Sequence, residues 1–209
     1  MLTPVIRVCL LALLLLMPLP VLAGDLVVSV KTPSGAPVAD AVVTLPGHGG
    51  AIRFPWAYRM AQKNIQFEPF VLIVPVGADV SFPNLDNVLH HVYSFSPAKT
   101  FELKLYGKDE TRVVHFDKPG VVELGCNIHD SMKAFIVVVD TPFAAKTDAQ
   151  GNATLRDAPA GGQTLTVWRP YLHAPGGALK ISVDVPRQGA GRANVVADVR
   201  APPMRHQMY

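Results

Sequence analysis

Gly120 to Asp140, GVVELGCNIHDSMKAFIVVVD, is the stretch that decides how this chain is read. Its two ends, Gly120 to Leu124 and Ala134 to Asp140, are runs of β-branched and aliphatic residues and read as strands. Between them Cys126, His129 and Met132 follow a C-x2-H-x2-M spacing. A thiolate, an imidazole and a thioether therefore share one tight loop at one end of a sheet.

Soft sulfur together with imidazole selects copper over hard cations. Two histidines and a cysteine in a trigonal set, with a long axial methionine, mark an electron-transfer copper site. A second imidazole is needed from elsewhere. Phe82-Pro83-Asn84-Leu85-Asp86 reads as a loop, and Leu89-His90-His91-Val92-Tyr93 begins a strand after it. His90 thus sits at a sheet end, where it can meet the Cys126 loop.

Working outward, the chain keeps the same texture. Asp25 to Lys31, Ala41 to Leu45, Asn64 to Phe67, Val71 to Pro75, Ala78 to Phe82, His90 to Phe95, Phe101 to Leu105 and Arg112 to Phe116 all read as short strands. Gly, Pro, Asn and Asp bound them. Ala57 to Lys63 has room for one short helical turn, and no segment holds a helical period for three turns. The expected fold class is an all-β sandwich.

The N-terminus reads as a secretory signal over residues 1–23. Arg7 is followed by an apolar run, Cys9 to Met17, and by a proline-containing segment ending at Ala23. The apolar run is short of the roughly 20 residues a membrane span needs, so export without stable membrane insertion is expected. Its loss removes Arg7 and no acid, which brings the formal charge of +3 to near +2. That near-balance gives no sign of a nucleic-acid partner. It also removes Cys9, one of two cysteines. Cys126 is then alone in an oxidising compartment, with no intramolecular disulfide open to it. It is a buried inert thiol, an intermolecular bridge, a nucleophile or a metal ligand.

Phe67-Glu68-Pro69, Val74 to Val80, Phe82, Asn84, Asp86, His90 and the Cys126 loop together resemble the cupredoxin family. The ligand loop has the spacing seen in amicyanin, and the whole is most similar to the methylamine-utilisation cupredoxin-like proteins of the MauL type. The resemblance implies a Greek-key β-sandwich in residues 50–141 and one mononuclear copper held by His90, Cys126, His129 and Met132. It also implies a periplasmic electron carrier, not an enzyme, serving a redox partner protein. A copper-binding assembly or delivery protein with a copper-accepting partner is the alternative. His91 departs from the family pattern, in which most members have Asn directly after the first histidine.

Residues 24–49 and 142–200 resemble two parts of a carboxypeptidase regulatory-like (transthyretin-like) sandwich. The resemblance rests on Gly35 to Leu45, Thr147-Asp148-Ala149-Gln150-Gly151, and Pro159 to Trp168. It implies a copper domain inserted into a split accessory sandwich, with 201–209 as a flexible tail. In that tail, Met204, His206 and Met208 are weak candidates for transient Cu(I) capture.

Competing readings of Cys126 differ in what they leave idle. An inert thiol gives no role to His129 and Met132 at fixed offsets. A Cys126–His129 nucleophile lacks an orienting or oxyanion motif. Zinc would leave Met132 unused, and structural zinc prefers more thiolates. His48, His115 and His173 read as surface or hydrogen-bonded residues. Phe54, Trp56 and Tyr58 read as packing between the two sandwiches.

Overall fold

The computed structural model describes residues 23–47 and 51–200. Residues 1–22 of the expected signal, His48 and the 201–209 segment lie outside the described residues. Within them, secondary structure is β apart from one 3-10 turn at Pro175–Gly177.

The strands are β1 (Ala23–Lys31), β2 (Val42–Thr44), β3 (Ala61–Gln62), β4 (Phe67–Glu68), β5 (Val71–Pro75) and β6 (Ala78–Pro83). Then come β7 (His90–Ser96), β8 (Lys99–Tyr106), β9 (Thr111–Phe116), β10 (Gly120–Gly125) and β11 (Lys133–Val139). The last are β12 (Ala144–Lys146), β13 (Asn152–Pro159), β14 (Gly161–Trp168), β15 (Leu179–Val185) and β16 (Ala190–Val196).

One five-stranded sheet runs β5-β11-β10-β7-β8, with β6-β9 and β3-β4 as separate pairs. Met60, Phe82, Val92, Phe116, Leu124 and Ile136 belong to the core these strands share. A three-stranded sheet, β13-β1-β16, and a four-stranded one, β12-β2-β14-β15, share a second core that includes Leu26, Val43, Leu155 and Leu165. β1 pairs antiparallel with β13 and parallel with β16, so the start of the described chain is tied to its end.

A third apolar cluster joins β5 and β11 to β2 and β12 through Val42, Val71, Ile73, Phe135, Val137 and Ala144. This explains why VLIVP and AFIVVV show no alternation: both strands are buried on both faces. The outer edge of β5 is covered by side chains. Trp56 Nε1 donates to Ile73 O at 2.8 Å and Lys146 Nζ to Val71 O at 3.0 Å, which blunts an edge otherwise open to strand addition.

Three local expectations change. Asn64 to Phe67 is not one strand: Asn64 and Ile65 have φ of 55° and 56° and form the tip of the β3–β4 hairpin. Ala57 to Lys63 makes no helical turn and ends in β3. β15, LKISVDV, is an additional strand that alternates cleanly and pairs with β14 along its whole length. Among the aromatics, Phe54 packs against the joining cluster and stacks on Trp56 at 4.7 Å, whereas Tyr58 packs on the core beneath the five-stranded sheet.

Candidate metal centre

The site forms where β7 begins and where β10 turns into β11. β7 places alternate side chains on opposite faces. His90 is fully buried, on the same face as the core residue Val92. Cys126 follows β10 directly, and the loop closes with Met132 N–H donating to His129 O at 2.9 Å. Cys126 and Met132 are both buried in the core, and His129 is partly exposed.

His90, Cys126 and His129 offer donor atoms that all lie within 4.8 Å of one another. Cys126 Sγ is 3.9 Å from His129 Nδ1, and the two imidazole centroids are 5.0 Å apart. Metal–nitrogen and metal–sulfur bonds run about 2.0–2.3 Å, so donors grouped this closely suit a shared ion. Met132 lies at the end of the same loop.

The loop before His90 is held firmly. Asn84 is buried; its Nδ2 donates to Val88 O at 2.8 Å and Tyr106 O at 3.0 Å, and its Oδ1 accepts from Asp86 N–H at 2.9 Å. The Asp86 carboxylate accepts from Asn64 N–H (2.6 Å), Ile65 N–H (2.9 Å) and His90 Nε2 (2.8 Å). Burial pushes the Asp86 carboxyl up, but these bonds outweigh it and hold it below the usual carboxylate value. A carboxylate only accepts, so the proton of neutral His90 sits on Nε2. Its Nδ1 is buried with no hydrogen-bond partner. Buried polar atoms are rarely left so, and on an imidazole grouped with a thiol and a second imidazole a free lone pair is what a copper ion would take up. The donor set therefore fits the metal that the sequence implies.

His91 is not among the clustered donors. Its Nε2 meets Glu102 Oε1 at 2.8 Å, and its ring lies 5.9 Å from that of Tyr93. Its Nδ1 is also buried and unpaired, and nothing in the structure explains that. His115 pairs with Asp79 and His173 with Asp198, all four exposed. Asn84 and Asp86 have no role in the sequence analysis; the structure gives them one, in holding the loop before His90. The signal was there in an acid four residues before the candidate histidine.

No protein-family profile matches the chain, and no curated protein matches it in sequence. Solved structures do match, and they include cupredoxins. The copper-containing nitrite reductase of Thermus scotoductus SA-01 is 26% identical, over 46% of this chain and 25% of its own, with a TM-score of 0.39. A purple cupredoxin from Nitrosopumilus maritimus is 20% identical over 39% of this chain and 98% of its own, with a TM-score of 0.35. A reduced variant of amicyanin is 19% identical over 46% of this chain and 98% of its own, with a TM-score of 0.38. The chain thus spans a quarter of the nitrite reductase and nearly all of the two small proteins. Among the described residues no helix is long and apolar enough to cross a membrane.

Proposed function

We propose that this chain is an exported cupredoxin that carries single electrons through one mononuclear copper held by His90 Nδ1, Cys126, His129 and Met132. The observation that carries the reading is the orphaned, buried Nδ1 of His90, on a residue whose donor atom lies within 4.8 Å of those of Cys126 and His129. Bound copper supplies a one-electron couple. The protein's part is to keep the donors in place through the change of charge, so that little reorganises. β7, β10 and β11 do this by fixing both ends of the ligand loop and the start of the His90 strand.

His129 is the ligand that reaches solvent and serves as the electron exit. Leu85, Val88, Leu89 and Ile128, in the two loops that carry the ligands, are each at least 40% exposed. An apolar rim of this kind suits brief docking of a redox partner. Residues 50–141 are proposed as the copper domain, inserted between residues 24–49 and 142–200 of the accessory sandwich. Separate cores drawn from these segments support the division. A periplasmic location and a link to methylamine metabolism are part of the same proposal.

The test is visible absorption and electron paramagnetic resonance of the exported chain titrated with Cu(II), beside Cys126→Ala. An intense thiolate-to-copper band that vanishes in the variant supports the carrier. A colourless protein that binds only Cu(I) would favour a delivery role instead.

A further inference from the structure

The β3–β4 hairpin tip has an unusual construction. Lys63 N–H donates to Gln66 O at 2.9 Å and Gln66 N–H to Lys63 O at 3.2 Å, which leaves a two-residue loop with positive φ at both Asn64 and Ile65. Asn suits the first position of such a turn, and glycine is the residue favoured at the second. Ile65 is β-branched, and for such a residue this conformation is a real outlier. Strain of this kind persists where the surroundings impose it. Here the surroundings are the Asp86 carboxylate, which takes the backbone N–H groups of both tip residues. The same carboxylate takes the Nε2 proton of His90. A hairpin tip, a loop acid and a candidate ligand thus form one chain of hydrogen bonds ending at His90 Nε2, on the ring whose Nδ1 is unpaired.

We infer that Asp86 is a positioning residue for the metal: clamped by the Asn64–Ile65 tip, it fixes the His90 ring and tautomer so that Nδ1 faces Cys126 and His129, and it biases the site towards Cu(II). The inference rests on the ligand set proposed above and adds to it a determinant of affinity and potential. Metal-ligating histidines are oriented and made better donors by a carboxylate on the other ring nitrogen. A negative charge behind the imidazole favours the more highly charged ion. Removing that charge weakens Cu(II) binding more than Cu(I) binding, and the potential rises.

The experiment uses the exported chain as wild type, Asp86→Asn and Ile65→Gly. Asp86→Asn keeps a carbonyl acceptor and removes the charge. Cu(II) affinity is expected to fall about 10-fold or more relative to Cu(I), within the range of outer-shell losses. For a one-electron couple each tenfold is about 59 mV, read directly by redox titration. Ile65→Gly keeps both N–H groups and relieves the backbone, so its melting temperature should rise and its potential stay at the wild-type value. An Asp86→Asn potential equal to wild type would overturn the inference. So would an Ile65→Gly shift of equal size, which would mean general loosening and not the carboxylate.

A second readout needs no copper. Nitrogen NMR of the metal-free wild type should show His90 protonated on Nε2, and Nδ1 protonation overturns the inference even if Asp86→Asn does not fold. If the wild type bound no copper, the carrier reading would fail while this measurement still decided the role of Asp86 in setting the tautomer.

Discussion

Gly125 lies so close to Tyr93 that a Cβ on it would sit 2.6 Å from the nearest ring carbon and 2.7 Å from the phenol oxygen. The two residues are register partners across β10 and β7, and Gly125 immediately precedes Cys126. A methyl group here must displace either the ring or the strand that ends in the cysteine. Gly125→Ala should lose about 1–3 kcal/mol in denaturant unfolding, the usual cost of overpacking. Tyr93→Ser, made in the same chain, should restore part of that loss. Equal losses in the single and double variants would show that the ring is not the obstacle.

Tyr106 ends β8 opposite His90, and its buried hydroxyl reaches Gln62 Oε1 and Phe82 O. Gln62, also fully buried, returns a bond to Met60 O at 3.1 Å. Tyr106→Phe strands these acceptors and should cost about 1–3 kcal/mol. Burial also raises the phenol above its usual value of 10.0, so the folded state holds a proton that the unfolded state releases. The stabilisation is therefore complete below pH 10 and declines as pH rises above it. The unfolding free energy should fall less steeply with rising pH in Tyr106→Phe than in wild type. Parallel pH profiles would contradict the assignment.

What could be read in the sequence followed from local rules. Cys126, His129 and Met132 share a loop whose flanking strands are marked by unbroken β-branched runs, so their approach needed no tertiary information. His90 was legible because it opens a strand after a loop, although Phe82 and Pro83, read as part of that loop, close β6 instead. The clamp on His90 was not, because Asn64 and Ile65 look like strand residues until Asp86 takes their N–H groups. β15 has a plain alternation, LKISVDV, but no ligand motif beside it to mark it as part of a sandwich. His91 drew notice by sequence position, yet the strand period turns it towards Glu102 and away from His90.

Gly151 closes the turn after Thr147 with φ of 76°, and a Cβ there would sit 2.5 Å from Val30 O. Its carbonyl accepts Val30 N–H at 2.8 Å and its N–H donates to Asp148 O at 3.0 Å. Gly151→Ala therefore combines a disfavoured backbone conformation with a backbone collision. The loss should be about 1–3 kcal/mol from the strain alone, seen as a lower melting temperature. Gly151 lies in a turn beside the strands around the Leu26–Leu155 core and not beside those that carry the proposed copper ligands. The copper absorption of the folded variant should match wild type. A changed spectrum would show that the two sandwiches are coupled more tightly than their separate cores suggest.

Copper itself should act as a stabilising ligand, because the unfolded chain cannot gather His90, Cys126 and His129. Binding to the native state alone adds about 2.7 kcal/mol when free ligand is a hundred times its dissociation constant, so Cu(II) should raise the melting temperature and a chelator should return it. Cys126→Ser keeps a small side chain at the buried position but loses the thiolate. Its metal-free melting temperature should stay near that of metal-free wild type, while most of the copper-induced rise disappears. Met132→Leu preserves the packing of that fully buried side chain and removes the thioether. Because a weakly bound thioether would tune potential more than it supplies affinity, this variant should keep most of the rise and shift in redox titration. Loss of the whole rise in Met132→Leu would make Met132 a primary ligand. No change in either quantity would remove it from the set.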